Sequence, residues 1–291
     1  MVDYVSLHNH THYSILDSLI SPNDLFSKAK ELGQKAIAVT DHGSLAGAWD
    51  ALKASKSHGV KLIIGCEMYF LDDVSKKEQK FRHVVLLAKN QIGYSNLLKL
   101  NKEGFDNSAI FAKRVYPLID WGMLEKYKEG LICLTSCANG IVSQLIMSNK
   151  REEAEKVVLK LVDIFGRDNL GLEVQSHNLK RNANLYHDAI EQATVNRNII
   201  NLAKKHNLRA IATTNAHYVN KDDAATHDVM LAIGSHQNIY SNYRIKYDVP
   251  EFYIKSGEEV RSFFERNYSE YADELCANSV FFADMCEEPN W

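Results

Sequence analysis

Apolar residues in this chain gather in short continuous runs, and longer stretches with helical periodicity separate them. The runs are "VSL" (5–7), "AIAVT" (36–40), "KLIIGCEMYF" (61–70), "HVVLLA" (83–88), "GLICLTS" (130–136), "LGLEV" (170–174) and "RAIATT" (209–214). A strand that is apolar on both faces belongs to a sheet covered by helices. Ser21-Pro22-Asn23-Asp24 is a helix start, with Ser21 as cap and Pro22 in the first turn, and Gly33 is its stop. Further helices are predicted from about Leu45 to His58 with Gly59 as terminator, near 91–103, twice between 140 and 165, near 182–206 and near 221–233. Strand and helix thus alternate, which predicts an all-parallel α/β sheet, either open and doubly wound or closed as a barrel. "LDDVSKKEQKFR" (71–82) reads as a solvated loop. Beyond about residue 250 the pattern changes to a short strand and two helices, the first capped by Ser256 with Glu258 and Glu259 in its opening turn. The division expected is a barrel over 1–250 and, over 251–291, a C-terminal extension that starts a connection toward a further domain.

Composition narrows the class without deciding the function. A chain of 291 residues can bury a sizeable core, and its apolar and charged fractions are ordinary. The formal net charge of −3 does not advertise nucleic-acid binding, so any such contact would depend on a local basic patch. Arg82, Lys113, Arg114, Lys180 and Arg181 are the candidates for one. The start of the chain carries Asp3 and histidines where a signal peptide would carry an apolar run, and no apolar stretch is long enough to span a bilayer, so a cytoplasmic protein without membrane contact is expected. Five cysteines without Cys-x-x-Cys spacing read mostly as small core residues. Neither Gly-x-Gly-x-x-Gly nor Gly-Lys-Ser/Thr occurs, which removes the usual nucleotide-binding forms of the open sheet.

The chemistry-bearing residues sit where strands end. "SLHNHTHYSILDS" (6–18) places His8, His10 and His12 on one side of an extended segment, and a His-x-His pair can bring two imidazoles to one ion. His8, His10 and Asp17 follow the first strand; Asp41 and His42 the second, in "VTDHG"; Glu67 the third, in "IIGCE". Cys137 follows the fifth, His177 the sixth, and Asn215 and His217 the last. In a barrel these positions share one rim, the face where barrel enzymes carry their reactive groups. Each has a plainer reading alone: Asp41 as a helix cap, Glu67 as a solvated strand end, Cys137 as core. His58, His187 and His206 lie in helical stretches and read as surface residues. His83 is anomalous, because it starts its strand where the rim requires an end.

"HNHTHYSILDS", "AVTDHGSLAGAWDALKASKSHGVKLIIGCEMYF", "HVVLLAKNQIGYSNLLKL", "GLICLTSCANGIVSQLI", "LEVQSHN" and "ATTNAHYVNKDDAATHDVMLAIG" resemble, in this order, the polymerase and histidinol phosphatase (PHP) domain at the amino end of bacterial DNA polymerase III alpha subunits. The resemblance extends through "FYIKSGEEV". It implies a distorted seven-stranded β/α barrel whose rim holds up to three divalent ions and, where the site is intact, metal-dependent 3′→5′ exonuclease activity. The family's ligand positions fall on His8, His10, Asp17, His42, Glu67, His83, Cys137, Asn215 and His217, and His12 is not among them. Eight of the nine keep the family's residue type; Asn215 stands where the family has Asp, Ser18 where it has Gly, and "FAKRVYPLID" also departs.

The implied chemistry is hydrolysis of a phosphoester, foremost the 3′-terminal phosphodiester of single-stranded DNA, by a metal-bound water. Glu67 is the natural bridging ligand, and a mixed imidazole, carboxylate and thiolate set suits zinc or manganese better than magnesium. The implied partners are a DNA 3′ end and polymerase domains or other replication proteins. Polymerisation itself needs carboxylates that lie beyond this domain in the resembling subunit. Two other readings stay open: a free-standing phosphatase of small phosphomonoesters, and a catalytically weak structural or interaction module, which Asn215 keeps in play.

Overall fold

The computed structural model describes residues 2–76, 80–111, 114–179, 192–241 and 244–289. The strands are β1 (Ala36–Val39), β2 (Lys61–Phe70), β3 (Arg82–Ala88), β4 (Ala109–Phe111), β5 (Arg114–Tyr116), β6 (Leu118–Ile119), β7 (Leu131–Leu134), β8 (Leu170–Gln175) and β9 (Arg209–Thr213). The main sheet runs β1-β2-β3-β7-β8-β9, with β6 added beside the end of β2, and β4 and β5 form a separate hairpin. The segment around Ser6 to Asn9 is no regular strand, yet it bridges Ile37 of β1 on one side and Ala216, just past β9, on the other. Backbone bonds from Ala38 N–H to Ser6 O and from His10 N–H to Ala216 O hold it there, so the six main strands and this segment curl into the distorted barrel the family pattern implied.

One strand departs from the all-parallel expectation. β3 runs antiparallel to both β2 and β7, while β1, β2, β7, β8 and β9 keep parallel partners elsewhere. Its continuous apolar run hides the reversal, because a strand buried on both faces has no alternation from which direction could be read. The reversal explains His83: the first residues of an antiparallel stave lie at the rim where its neighbours end.

Local signals set the helices. Ser21 Oγ accepts from Asp24 N–H and Pro22 opens the helix Pro22–Glu31; the helix Ala48–His58 stops at Gly59, which takes the left-handed conformation. The helix expected near 182–206 is described over Gln192–His206, and the part of that prediction over 182–191, with His187, lies outside the described residues. Asp41 caps no helix; the following one begins at Ala48 behind Gly47.

The barrel interior is layered. Val5, Leu7, Ala36, Ala38, Ile63, Val85, Leu87, Ile132, Leu134 and Ile211 pack with Phe282, Ala283 and Cys286 into one buried cluster at the end opposite the rim. The helix Ala272–Asp284 therefore shares the barrel's core, while the helix Gly257–Tyr268 packs in a separate cluster through Val260, Phe263 and Phe264. Ser279 Oγ accepts from Val5 N–H, Asn278 Nδ2 donates to Ala210 O, and Lys61 Nζ donates to Ala283 O. All three contacts fall where β2, β9 and the first segment begin, so the last helix closes the floor. Above the apolar floor lies a polar layer of Ser6, Asn9, Thr40, Thr135, Glu173, Thr213 and Thr214, buried and joined by hydrogen bonds.

Candidate metal centre

Glu67 is the hub of the rim. It lies inside β2 between Cys66 and Met68 rather than at a solvated strand end, is fully buried, and its Oε2 lies 3.1 Å from His10 Nε2, 3.4 Å from His8 Nε2 and 3.0 Å from His42 Nδ1. Its Oε1 lies 3.2 Å from His83 Nδ1 and 3.6 Å from Cys137 Sγ, and it also accepts from Ser136 Oγ. Cys137 Sγ is 3.8 Å from His83 Nδ1. On the other side, Asp17 Oδ2 lies 2.9 Å from His42 Nε2 and 3.4 Å from His217 Nε2. Eight of the nine expected residues thus form one connected set, and the ninth, Asn215, joins it through its backbone oxygen, which accepts from His217 Nδ1 at 2.8 Å.

A surrounding ring of partners sets which nitrogen each histidine presents. His8 Nδ1 donates to Glu173 Oε2 at 2.9 Å, and Glu173 also accepts from Ser136 N–H and Thr213 Oγ1. His10 Nδ1 donates to Ser14 Oγ at 3.0 Å, and Ser14 in turn donates to Asp41 Oδ1. With Nδ1 occupied in His8, His10 and His217, all three turn Nε2 toward the centre, the arrangement by which outer partners orient metal-binding imidazoles. Glu173 was missed by the sequence reading, although a lone acid in the apolar run "LGLEV" was its signal; Asp41 was placed at the rim, with a helix cap as its plainer reading, and it supports the centre through Ser14 and Thr11. His177 is not brought into the set: its Nε2 pairs with Gln175 Oε1 and its ring lies on Phe252. His12 is exposed and packs on Tyr13.

Cys137 and His83 depend on a tight turn. His83 N–H donates to Asn139 O, Ile141 N–H donates to His83 O, and Gly140 N–H donates to Cys137 O. A Cβ on Gly140 would stand 2.2 Å from Thr135 O, so only glycine lets the "TSCANG" turn fold this closely.

The electrostatics reflect this crowding. Burial would raise Glu67, but the His8, His83 and His42 imidazoles hold its carboxyl well below the usual range. Burial would lower His8 and His42, but Glu173 and Glu67 push His8 up to about 10, and Glu67 and Asp17 push His42 up to about 10. His10 is held well below its ordinary value by burial and by His42 and His217. The Cys137 thiol is pushed well up by burial and by Glu67. Two tyrosines, Tyr69 and Tyr247, are kept neutral by burial and by the charges of Asp17 and Glu67 nearby.

The donor set suits divalent metals. His10, His42 and His217; His8, His10 and Glu67; and His42, Glu67 and His83 each bring their ligand atoms within 4.8 Å of one another. Donors around one ion at bond lengths of about 2.1 Å stand about 3 to 3.5 Å apart, the range of the imidazole-to-carboxylate distances here. Glu67 Oε2, His42 Nδ1 and Asn215 Oδ1 are buried with no hydrogen-bond partner, although the first two lie 3.0 Å apart. Buried polar atoms are otherwise almost always satisfied. Other donors of the set do pair with one another, His8 Nε2 with His10 Nε2 and His83 Nδ1 with Glu67 Oε1, each at 3.2 Å.

A family model described as the PHP domain matches residues 6–177. The chain belongs to the PHP domain family. Within it, this PHP chain is 36% identical over 294 residues to the DNA polymerase III subunit alpha of Borreliella burgdorferi, covering 98% of this chain and 24% of that protein. It is 38% identical over 282 residues to the same subunit of Aquifex aeolicus, covering 88% of this chain and 22% of that protein. The chain spans about a quarter of the length of the relatives it matches. Among solved structures, an amidohydrolase from Chromobacterium violaceum aligns with a TM-score of 0.45 at 14% identity, over 75% of this chain and 89% of that one. Of the basic residues considered for a nucleic-acid patch, Arg82 pairs with Asp72 and Arg114 donates to Gly234 O, while Lys113, Lys180 and Arg181 lie outside the described residues. No described helix is long and apolar enough to cross a membrane.

Proposed function

We propose that this PHP domain is a metal-dependent phosphoesterase that releases nucleotides from the 3′ end of single-stranded DNA, working in the cytoplasm as part of a polymerase III alpha-like protein. The observation that carries the reading is Glu67, a fully buried carboxylate whose Oε2 faces three imidazole nitrogens without a hydrogen bond. His8, His10, Asp17, His42, Glu67, His83, Cys137, Asn215 and His217 would hold up to three zinc or manganese ions, with Glu67 shared between ions. Bound ions would supply a nucleophile at neutral pH and stabilise the charge that develops on the phosphate and on the leaving oxygen.

The chain's own residues would do the rest. Glu173, Ser14 and the Asn215 backbone keep the three imidazoles turned inward, and Tyr69 and Tyr247 flank the site as neutral hydroxyls able to donate to a phosphate oxygen. The floor of buried apolar side chains leaves the rim as the side from which a substrate enters. A purely structural role is favoured by one observation, the neutral Asn215 in a position the family fills with an acid.

The test is release of label from a 3′-labelled single strand with added manganese or zinc. His10→Ala and Glu67→Ala should abolish it, and Cys133→Ala, buried in β7 away from the rim, should retain it. Equal activity in the two rim variants and the parent would refute the assignment.

A further inference from the structure

Between the helix Ala224–Gly234 and the segment 246–250 lies a cavity of about 250 Å³, lined by His227, Asp228, Leu231, Lys246, Tyr247 and Val249 among others. It shares a wall with the candidate metal centre. His227 Nε2 donates to the backbone oxygen of Asp17 at 2.8 Å, and the His227 and His217 ring centroids are 5.6 Å apart. The Tyr247 ring lies parallel to His227, at 3° and 5.9 Å, and against Phe252 at 4.2 Å.

We propose that this cavity is a nucleobase subsite of the same centre, holding the base of the nucleotide whose phosphate sits on the rim. The proposal rests on the phosphoesterase reading for its phosphate and on the cavity for its base. An apolar cavity of about 150 Å³ accepts one benzene ring, so the volume here takes one substituted or bicyclic ring and no more. Leu231, Val249 and the flat rings of His227 and Tyr247 offer contact to the faces of such a ring, and Asp248 and Lys246 offer polar atoms to its edge. Apolar faces with polar edges describe a heteroaromatic base better than an acyl chain or a bare sugar. His227 contributes an acceptor: with Nε2 committed to Asp17 O, its Nδ1 carries the free pair.

The cavity is built rather than a chance gap between loops. Arg244, almost fully buried, binds both oxygens of Asp228 at 2.6 and 2.7 Å, and it also donates to the backbone oxygens of Ile239 and Ile245. That bidentate pair ties Arg244, two residues before the cavity wall at Lys246, to the helix Ala224–Gly234 and so helps set the distance between the cavity walls.

The experiment is a ligand-observed NMR titration of the full chain, without added metal, using deoxyadenosine and deoxyribose as separate probes. Ala225 is exposed and lines the cavity, so Ala225→Trp fills it without disturbing the core; Val249→Trp fills it from the opposite wall. Deoxyadenosine should bind through its base protons and deoxyribose should not. Either tryptophan should raise the deoxyadenosine Kd at least about fivefold, as expected for the loss of one base's stacking. Hydrolysis of glycerol 2-phosphate, which has no ring to seat in the cavity, by the metal-loaded protein should be unchanged in both variants. No deoxyadenosine binding, or binding indifferent to both tryptophans, would overturn the subsite while leaving the phosphoesterase reading to stand on its hydrolysis. Nucleoside binding in a protein that neither holds metal nor hydrolyses would support the cavity and refute that reading instead.

Discussion

Asn215 concentrates what is distinctive about this chain at the scale of single residues. Its φ is +50°, a left-handed conformation that Asn and Asp tolerate better than most residues, and its Oδ1 is buried without a partner. Asn215→Asp therefore changes charge without demanding a new backbone. A carboxylate holds a divalent cation more tightly than an amide oxygen. On the proposed reading, Asn215→Asp raises both manganese affinity and hydrolysis, read by titrating manganese while following turnover. Unchanged metal affinity in that variant would remove Asn215 from the ligand set.

At the scale of elements, the turn after β7 and the direction of β3 together deliver Cys137 and His83 to the rim. Gly140→Ala would press a Cβ onto Thr135 O, and overpacking of this kind costs about 1–3 kcal/mol. The expected outcome is a folded protein with a lower denaturation midpoint and with metal content reduced more than in a His12→Ala control, whose side chain faces solvent. Equal metal content in the two variants would show that the turn does not position the site. These elements also mark how far the sequence could be read. The locations of β1, β2, β3, β7, β8 and β9, the helix from Ser21 and the Ser256 cap were legible because turn chemistry and apolar runs are local signals, whereas the short β4, β5 and β6 carry no such run. The reversal of β3 was not, since a doubly buried strand carries no directional pattern, and His83 was intelligible only through the family resemblance. Glu173 was not legible either, because it lies inside its strand, whereas a barrel's reactive groups are expected at strand ends. His177 was included for the opposite reason: it follows a strand, but Gln175 and Phe252 hold it apart from the cluster.

For the whole molecule, the last helix, Ala272–Asp284, belongs to the barrel's own core. Phe282 is fully buried among residues from the first segment, β1, β2, β3, β7 and β9. Phe282→Ala is expected to cost about 3–5 kcal/mol, the range for buried aromatics, measured by chemical denaturation. A cost below about 0.5 kcal/mol, the size of a surface substitution, would mean that the floor is formed without this helix. The same layering, an apolar floor below a polar layer and the rim that carries the candidate ligands, is what lets so many buried ionisable groups persist in one place. The most direct test of the proposed metal centre is elemental analysis of the purified protein after growth with added zinc or manganese. The account predicts two to three equivalents of transition metal per chain, as expected for a mixed nitrogen, oxygen and sulfur donor set, and a content below about half an equivalent would contradict it.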